Sequence, residues 1–209
     1  MSEVFGRTNL HLPPVWIRLA VPERPTDGWL QNLVDAAIAS KAPIDISTSP
    51  GLWGGMMRGT DATVICFGVD PTAFSSREIA LNQTQAHVIE ILSALGRPAL
   101  DFYVVQITTA PEEFQIDAVL EALEDMRSDG LIRFFGLACR GRPLATLGTW
   151  QFHDAFEALF VPSAGNAYDT LAPLAQQRRV GVVTLGDVNQ ERPACRLLTI
   201  SDAGQILRS

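Results

Sequence analysis

Short apolar runs alternate with stretches of helical periodicity along the chain. Most of the runs are almost continuously apolar, which is typical of strands in a parallel sheet that is covered on both faces. The strand candidates are Val15–Val21, Pro43–Ser47, Thr63–Val69, Phe102–Ile107, Arg133–Ala138, Ala158–Pro162, Val180–Leu185 and Arg196–Ile200. Strands that alternate with helices predict βαβ units and a parallel sheet.

The segments between these runs carry the signals of helices. Apolar residues recur at helical spacing from Trp29 to Ile38 and form one stripe. Ser75 and Glu78 have the spacing of a capping box ahead of a second helix, and Gly96 stands where that helix would end. Further helices are predicted over Ile116–Met126, Leu144–Phe152 and Leu171–Gln177.

Eight strand candidates that alternate with helices favour a fold of the α/β class, a (β/α)8 TIM-type barrel of minimal size. The alternative is an open doubly wound sheet. Such a sheet usually carries a G-x-G-x-x-G turn after its first strand, and the chain has no such turn. No linker or low-complexity tract divides the chain, so we expect residues 1–209 to form a single barrel domain.

Composition and charge argue against several classes of partner. The 209 residues are 47% hydrophobic and 19% charged, which is typical of a globular protein. A net charge of −7 and the absence of any basic run argue against binding to nucleic acid. No apolar stretch approaches the roughly 20 residues of a membrane span. The three cysteines are too scattered for a disulfide framework, and we expect a cytoplasmic protein.

Several segments resemble motifs of the aldo-keto reductases, and they occur in the order of that family. The similar segments are Gly6–Leu10, Thr48–Pro50, Asp101–Val105, Leu120–Glu124 with Gly130–Leu137, and Leu171–Ala175 with Gly181–Val183. They span nearly the whole chain. The resemblance implies a barrel whose bottom is capped by an N-terminal hairpin at the first of these segments.

The resemblance also implies a catalytic tetrad of Tyr, Lys, Asp and His, in which the Tyr donates a proton to the carbonyl. The position of the His holds Gln106, which can donate a hydrogen bond but cannot titrate. The position of the Tyr holds Leu52 or Trp53, and neither can give up a proton. The third strand does not end in a lysine, and Lys41 is the only lysine in the chain.

The position of the tetrad Asp has two alignments. It falls on Ser47 if the Thr-Ser-Pro match is kept, or on Asp45 if the strand is shifted by two residues. We favour Ser47, because an Asp without its Lys would be an uncompensated charge at the barrel mouth. On either alignment the resemblance predicts that the tetrad is lost.

The positions that bind the nicotinamide cofactor in this family are altered as well. Glycines that let the cofactor approach the first strand are replaced by larger side chains. The residues at the positions that would contact the nicotinamide are Trp16, Arg18, Leu19, Ala138, Cys139, Phe160 and Ser163 or Ala164. The segment that binds phosphate after the seventh strand is shortened. We therefore expect no cofactor, with NADPH as the alternative.

Residues near the carboxyl ends of the strands are the candidates for a ligand pocket, because barrel active sites lie there. They are Arg18, Ser47, Trp53, Cys66, Gln106, Cys139, Ser163 and Asn166. No catalytic residue and no metal ligand is assigned.

Six of these candidates have an alternative interpretation. Cys66 and Cys139 form a nucleophile or metal site with His153, or are small buried residues. Trp53, on a predicted loop, is a wall or lid over a ligand, or a plug in a vacant pocket. Arg18 binds an anion or forms a salt bridge, and Asn166 and Gln106 orient a ligand, with a turn-forming role favoured for Asn166.

Three functions follow. The one we favour is a barrel without NADPH-dependent redox activity that serves as a binding, regulatory or assembly subunit, with a protein partner, a second copy of the chain or a small-molecule ligand. The second is a cofactor-independent enzyme of the lyase, isomerase or cyclase type that uses the barrel mouth. The third is an NADPH-dependent carbonyl reductase.

Overall fold

Two short strands open the chain, and the strands that follow close into a parallel barrel. The computed structural model describes residues 3–24, 26–186 and 194–206. The opening strands are β1 (Glu3–Val4) and β2 (His11–Leu12). The barrel strands are β3 (Val15–Leu19), β4 (Ile44–Asp45), β5 (Val64–Phe67), β6 (Leu100–Ile107), β7 (Ile132–Cys139), β8 (Ala158–Pro162), β9 (Gly181–Leu185) and β10 (Cys195–Ile200).

Helices connect the barrel strands and cover their outer side. They are α1 (Trp29–Ala39), α2 (Pro50–Met57), α3 (Arg77–Leu95), α4 (Glu113–Ser128), α5 (Pro143–Phe152), α6 (Ala167–Arg178) and α7 (Ala203–Ile206). The (β/α)8 barrel is confirmed, since each strand pairs in parallel with the next and β10 closes on β3. No helix of the described ranges is long and apolar enough to cross a membrane.

The N-terminal hairpin predicted from the resemblance is present and lies against the lower end of the barrel. β1 and β2 pair antiparallel, and Gly6 joins them with a φ of +55°, a conformation that favours glycine. A Cβ on Gly6 would lie 2.3 Å from the Gly181 backbone nitrogen at the start of β9. The Phe5 ring packs on Trp16 with centroids 4.7 Å apart. The hairpin is therefore held close to the barrel interior.

Aromatic rings fill the barrel interior. Trp16 lies 5.7 Å from Phe102 and 5.8 Å from Phe160 between ring centroids, and Phe67 lies 5.0 Å from Phe160. Trp16, Phe102 and Phe160 are fully buried. Tilted and edge-to-face ring pairs at such distances contribute about 0.5–1.5 kcal/mol each beyond the burial of their area. The interior is therefore a packed core, and polar chemistry is confined to the ends of the strands.

Two helix predictions need correction. The residue that caps α3 is Ser76, whose hydroxyl accepts the Ile79 amide hydrogen, and not Ser75. The segment around Trp53, predicted as a loop, forms α2. Its glycines suggested a turn, but Gly54 is needed for packing, because a Cβ there would lie 2.5 Å from the Ala94 carbonyl oxygen of α3.

The close contact of α2 with α3 gives a matched pair of substitutions in one helix. We expect Gly54→Ala to lower the free energy of unfolding by about 1–3 kcal/mol, because the new methyl group meets the α3 backbone. Gly55→Ala adds a methyl group that meets nothing within 4 Å. We expect it to be neutral or to stabilise by up to about 1 kcal/mol, since alanine is the better helix former. Urea unfolding of both variants measures the difference, and equal effects would contradict the packing of α2.

Candidate functional site

A buried ion pair lies at the carboxyl ends of β3 and β4. The register pairs Arg18 with Asp45 and Asp45 with Ile65, and directly paired residues of parallel strands face the same side of a sheet. Ile65 belongs to the packed interior, so all three side chains face inward. The Arg18 Nε donates to Asp45 Oδ2 at 2.5 Å. Asp45 is fully buried, and the Arg18 side chain is 22% exposed.

This ion pair removes the reason for preferring Ser47 to Asp45 as the position of the tetrad Asp. An unpaired carboxylate at the barrel mouth was expected to be too costly in the absence of the family's lysine. Arg18, on the neighbouring strand, supplies the missing positive charge. Asp45 is therefore a buried carboxylate of the barrel mouth, and Ser47 is one of its hydrogen-bond partners.

Ser47 connects the ion pair to β5. Its amide and its hydroxyl both donate to Asp45 Oδ1, at 2.9 and 2.5 Å. The same hydroxyl oxygen accepts the amide hydrogen of Phe67 at 2.6 Å. Ser47 thus acts as a link between two strand ends, and its hydroxyl hydrogen is already used by a carboxylate.

A second polar pair lies at the ends of β6 and β7. Gln106 Nε2 donates to the Gly68 carbonyl oxygen at 2.7 Å, and Gln106 Oε1 accepts from Arg140 Nε at 2.9 Å. The Arg140 guanidinium lies 4.7 Å from the centroid of the Phe67 ring, and the Arg18 guanidinium lies 5.0 Å from the same centroid. The two arginines therefore share one aromatic ring at the barrel mouth.

Sequence reasoning missed Arg140. The signal was its position directly after a strand, at the end of the barrel where functional side chains gather. Burial lowers the pKa of the Arg140 guanidinium, and the positive charge of Arg18 lowers it further, while Asp45 acts in the opposite direction. The positive charges of the two guanidinium groups therefore repel each other.

Two predicted pocket residues, Cys66 and Cys139, lie outside this group. Cys66 stands between the inward-facing Ile65 and Phe67, and both cysteines belong to the core between the strands and the helices. Burial raises the pKa of the Cys66 thiol to about 12, so the thiol stays protonated. Within the described ranges no three His, Cys, Asp or Glu side chains are grouped to hold a metal ion. The proposed thiol cluster with His153 is therefore not formed.

Trp53 is neither a lid nor a plug of the barrel mouth. It is fully buried on α2, and its ring packs edge-to-face on Trp29 of α1 at 6.3 Å between centroids. Its indole nitrogen donates to Thr48 Oγ1 at 3.3 Å. The helix that carries Trp53 packs on α1 outside the barrel, so the structure does not bring Trp53 together with the polar side chains at the strand ends.

Ser163 and Asn166 follow β8 on the same side of the barrel as the ion pair. The amide of Ser163 donates to the Leu185 carbonyl oxygen at 3.1 Å, which joins the ends of β8 and β9. Asn166 is exposed at the start of α6, where its carbonyl oxygen accepts from Thr170 Oγ1. These contacts support a turn-forming role for Asn166.

Solved structures of aldo-keto reductases match the chain over most of its length. The holo form of an aldo-keto reductase from Bacillus halodurans superposes with a TM-score of 0.76 at 14% identity, over 99% of this chain and 88% of that chain. An aldo-keto reductase enzyme from a Medee basin deep-sea metagenome library gives 0.73 at 11% identity, over 100% and 87%. The chain has the aldo-keto reductase fold.

A third match to the aldo-keto reductase fold comes from a structure that contains ligands. An aldo/keto reductase from Klebsiella pneumoniae, in complex with NADP and acetate, superposes with a TM-score of 0.66 at 18% identity, over 88% of this chain and 66% of that chain. No protein-family model and no curated protein matches the sequence. The similarity therefore concerns the fold.

The side chains that would supply a proton in this fold lie away from the barrel mouth. The chain has two tyrosines and one lysine, and the structure describes all three. Tyr103 is fully buried in the core between strands and helices, and Tyr168 lines a cleft beside α6. Lys41 is exposed in the turn before β4, at the opposite end of the barrel.

The three histidines are also elsewhere. His11 is exposed on the hairpin and His153 follows α5 at the lower end of the barrel. His87 is partly buried on α3, with its Nδ1 2.9 Å from the Tyr103 hydroxyl oxygen. Burial lowers the pKa of His87. The barrel mouth therefore holds no Tyr, Lys or His from this chain.

Three of the side chains at the nicotinamide positions of the aldo-keto reductase fold do not fit that group. The positions that would hold its carboxamide carry Ala138, which is buried and apolar, and Cys139, whose thiol faces the helices and donates to the Gly141 carbonyl oxygen. Phe160 is packed into the interior against Trp16. None of these groups offers the carboxamide a hydrogen bond. The shortened phosphate segment predicted after β9 falls at residues 187–193, outside the described ones.

A cleft of about 580 Å³ lies at the lower end of the barrel, away from the two arginines. It is bounded by the hairpin, α6 and the starts of β9 and β10. It includes none of the predicted pocket residues.

The buried ion pair generates a test by double substitution. We expect Arg18→Met to lower the free energy of unfolding by roughly 3 kcal/mol, because it leaves the Asp45 carboxylate buried without a cation. In the double variant Arg18→Met/Asp45→Asn we expect at least about 1 kcal/mol of that loss to be recovered. Arg77→Met breaks the exposed pair with Glu121 and is the control, with an expected loss below about 1 kcal/mol. A double variant that is no more stable than Arg18→Met in urea unfolding would contradict the pair.

The outward orientation of the cysteines is tested by thiol labelling of the Cys195→Ser variant. Cys66 and Cys139 are both at most 1% exposed, and the thiolate is the reactive form. We expect neither to react with a thiol reagent in the folded variant at mildly alkaline pH, and both to react in urea. Rapid labelling of the folded protein would place one of them at the barrel mouth.

Proposed function

We propose that this chain is an aldo-keto-reductase-like barrel without NADPH-dependent reductase activity, and that it serves as a binding subunit with its ligand site at the barrel mouth. The observation that carries the proposal is the set of side chains at that mouth. Two arginines, one carboxylate, a serine and a glutamine stand where the family's chemistry needs a proton donor.

Carbonyl reduction needs a group that delivers a proton to the carbonyl oxygen, and such a group works best when its pKa is near the working pH. The arginines keep their protons at neutral pH, and glutamine does not titrate. The Ser47 hydroxyl already donates to Asp45. These side chains favour holding a ligand over reducing it.

The same group of side chains argues against cofactor-independent catalysis of the lyase or isomerase type. Such a reaction needs an accessible base, and Asp45 is the one carboxylate in the group. Asp45 is fully buried, and its two oxygens already accept from Arg18 and Ser47. Abstracting a substrate proton would break the ion pair, which buried geometry makes costly.

A reductase remains the alternative that the relatives suggest, since the structure from Klebsiella pneumoniae contains NADP. The nicotinamide positions of this chain carry apolar or outward-facing side chains, and this supports the absence of that cofactor.

The test is a NADPH turnover and binding assay on the purified chain. We expect no loss of NADPH absorbance with a panel of aldehydes and ketones, because no side chain at the barrel mouth delivers the proton. The reductase from Bacillus halodurans, assayed in parallel, is the positive control. Turnover above background, or micromolar binding of NADPH that inorganic phosphate does not displace, would overturn the proposal.

A further inference from the structure

We propose that Arg18 and Arg140 form an anion site above the Phe67 ring, and that the ligand of this barrel carries a carboxylate or a phosphate group there. The inference rests on the proposed function, because it names the chemical class of the ligand that the barrel mouth binds. The site is built from the ends of β3, β5 and β7.

The first argument is the balance of charge at the mouth. Two guanidinium groups stand there against one carboxylate, Asp45, so the group carries one excess positive charge. Partial burial of this excess positive charge costs solvation free energy, and a bound anion would offset that cost.

The second argument is the set of donors left over. Arg18 uses its Nε for Asp45, and Arg140 uses its Nε for Gln106. Among the described residues, the terminal nitrogens of both guanidinium groups donate to no protein acceptor. A guanidinium fork with free terminal nitrogens matches the two oxygens of a carboxylate or phosphate.

The third argument is the fixed placement of both forks. The two guanidinium carbons lie 5.0 and 4.7 Å from the Phe67 centroid, and thus within about 10 Å of each other, the sum of the two distances. Asp45 holds Arg18 on one side, and Gln106, itself bonded to the Gly68 carbonyl oxygen, holds Arg140 on the other. Side chains held in place lose little rotamer freedom on binding, which favours affinity.

The site is also open to solvent. Arg140 is exposed just beyond the end of β7, and the Arg18 side chain is 22% exposed. Burial and the positive charge of Arg18 lower the pKa of Arg140 while Asp45 raises it, so the Asp45 carboxylate offsets only part of the repulsion between the two cations. A bound anion would relieve this repulsion.

Isothermal titration calorimetry at constant ionic strength tests the site, with inorganic phosphate in one arm and acetate in the other. We expect saturable binding of at least one of them to the folded chain. Arg140→Gln should weaken that binding by about 10- to 100-fold, the loss expected for charged hydrogen bonds. Phosphate binding alone would assign a phosphate-bearing ligand, and acetate binding alone a carboxylate.

Two further variants keep the test decisive. Arg142→Gln removes the same charge from an exposed residue of the same loop, and we expect affinity within about 2-fold of the unmodified chain. Arg18→Lys keeps a cation beside Asp45 but removes the fork, and should weaken binding without the stability loss expected of Arg18→Met. If Arg140→Gln and Arg142→Gln lose the same affinity for the anion, the binding reflects the general positive potential of this loop, and the proposed site is overturned.

The failure of this inference differs from that of the proposed function. If neither anion binds, or if Arg140→Gln binds as well as the unmodified chain, the anion site is wrong while the absence of turnover stands. If the chain oxidises NADPH with a carbonyl substrate, the proposed function is wrong whatever the titrations with phosphate and acetate show.

Discussion

The ion pair between Arg18 and Asp45 is the interaction on which the barrel mouth depends. A fully buried carboxylate is tolerated only where a cation and hydrogen-bond donors meet it. The pair joins β3 to β4, and Asp45 also holds Ser47, whose oxygen accepts the amide hydrogen of Phe67 at the end of β5. One buried charge therefore aligns the ends of three consecutive strands.

The aromatic core of the barrel interior leaves room for the Arg18–Asp45 ion pair only at the carboxyl ends of the strands. Trp16 and Phe160 fill the interior below it, and Phe67 lies between this core and the two guanidinium groups. The ring of Phe67 thus packs on apolar side chains and also offers its face to cations, an arrangement that stabilises a positive charge without a second carboxylate. The same packing removes the space in which a side chain from deeper in the barrel could reach a ligand.

The fold could be predicted further than the site. The strands were found because buried parallel strands are continuously apolar, a local property of the sequence. The helix that contains Gly54 was missed because its glycine is required by a neighbouring helix, which is a tertiary constraint. Asp45 was set aside because its partner, Arg18, lies on another strand, and Arg140 was missed because its contact with Phe67 joins the ends of two strands that are not neighbours. Pairings across strands depend on register, which apolar runs alone do not specify.

The charged side chains at the barrel mouth allow a different kind of chemistry from that of a tyrosine–lysine pair. A tyrosine beside a lysine can exchange a proton near neutral pH, because each lowers or raises the pKa of the other. Arginine keeps its proton under the same conditions, so Arg18 and Arg140 hold charge and hydrogen-bond donors in place without exchanging protons. Under the proposed function, a barrel with guanidinium groups at its mouth is therefore suited to recognising a negatively charged group and leaving it chemically unchanged.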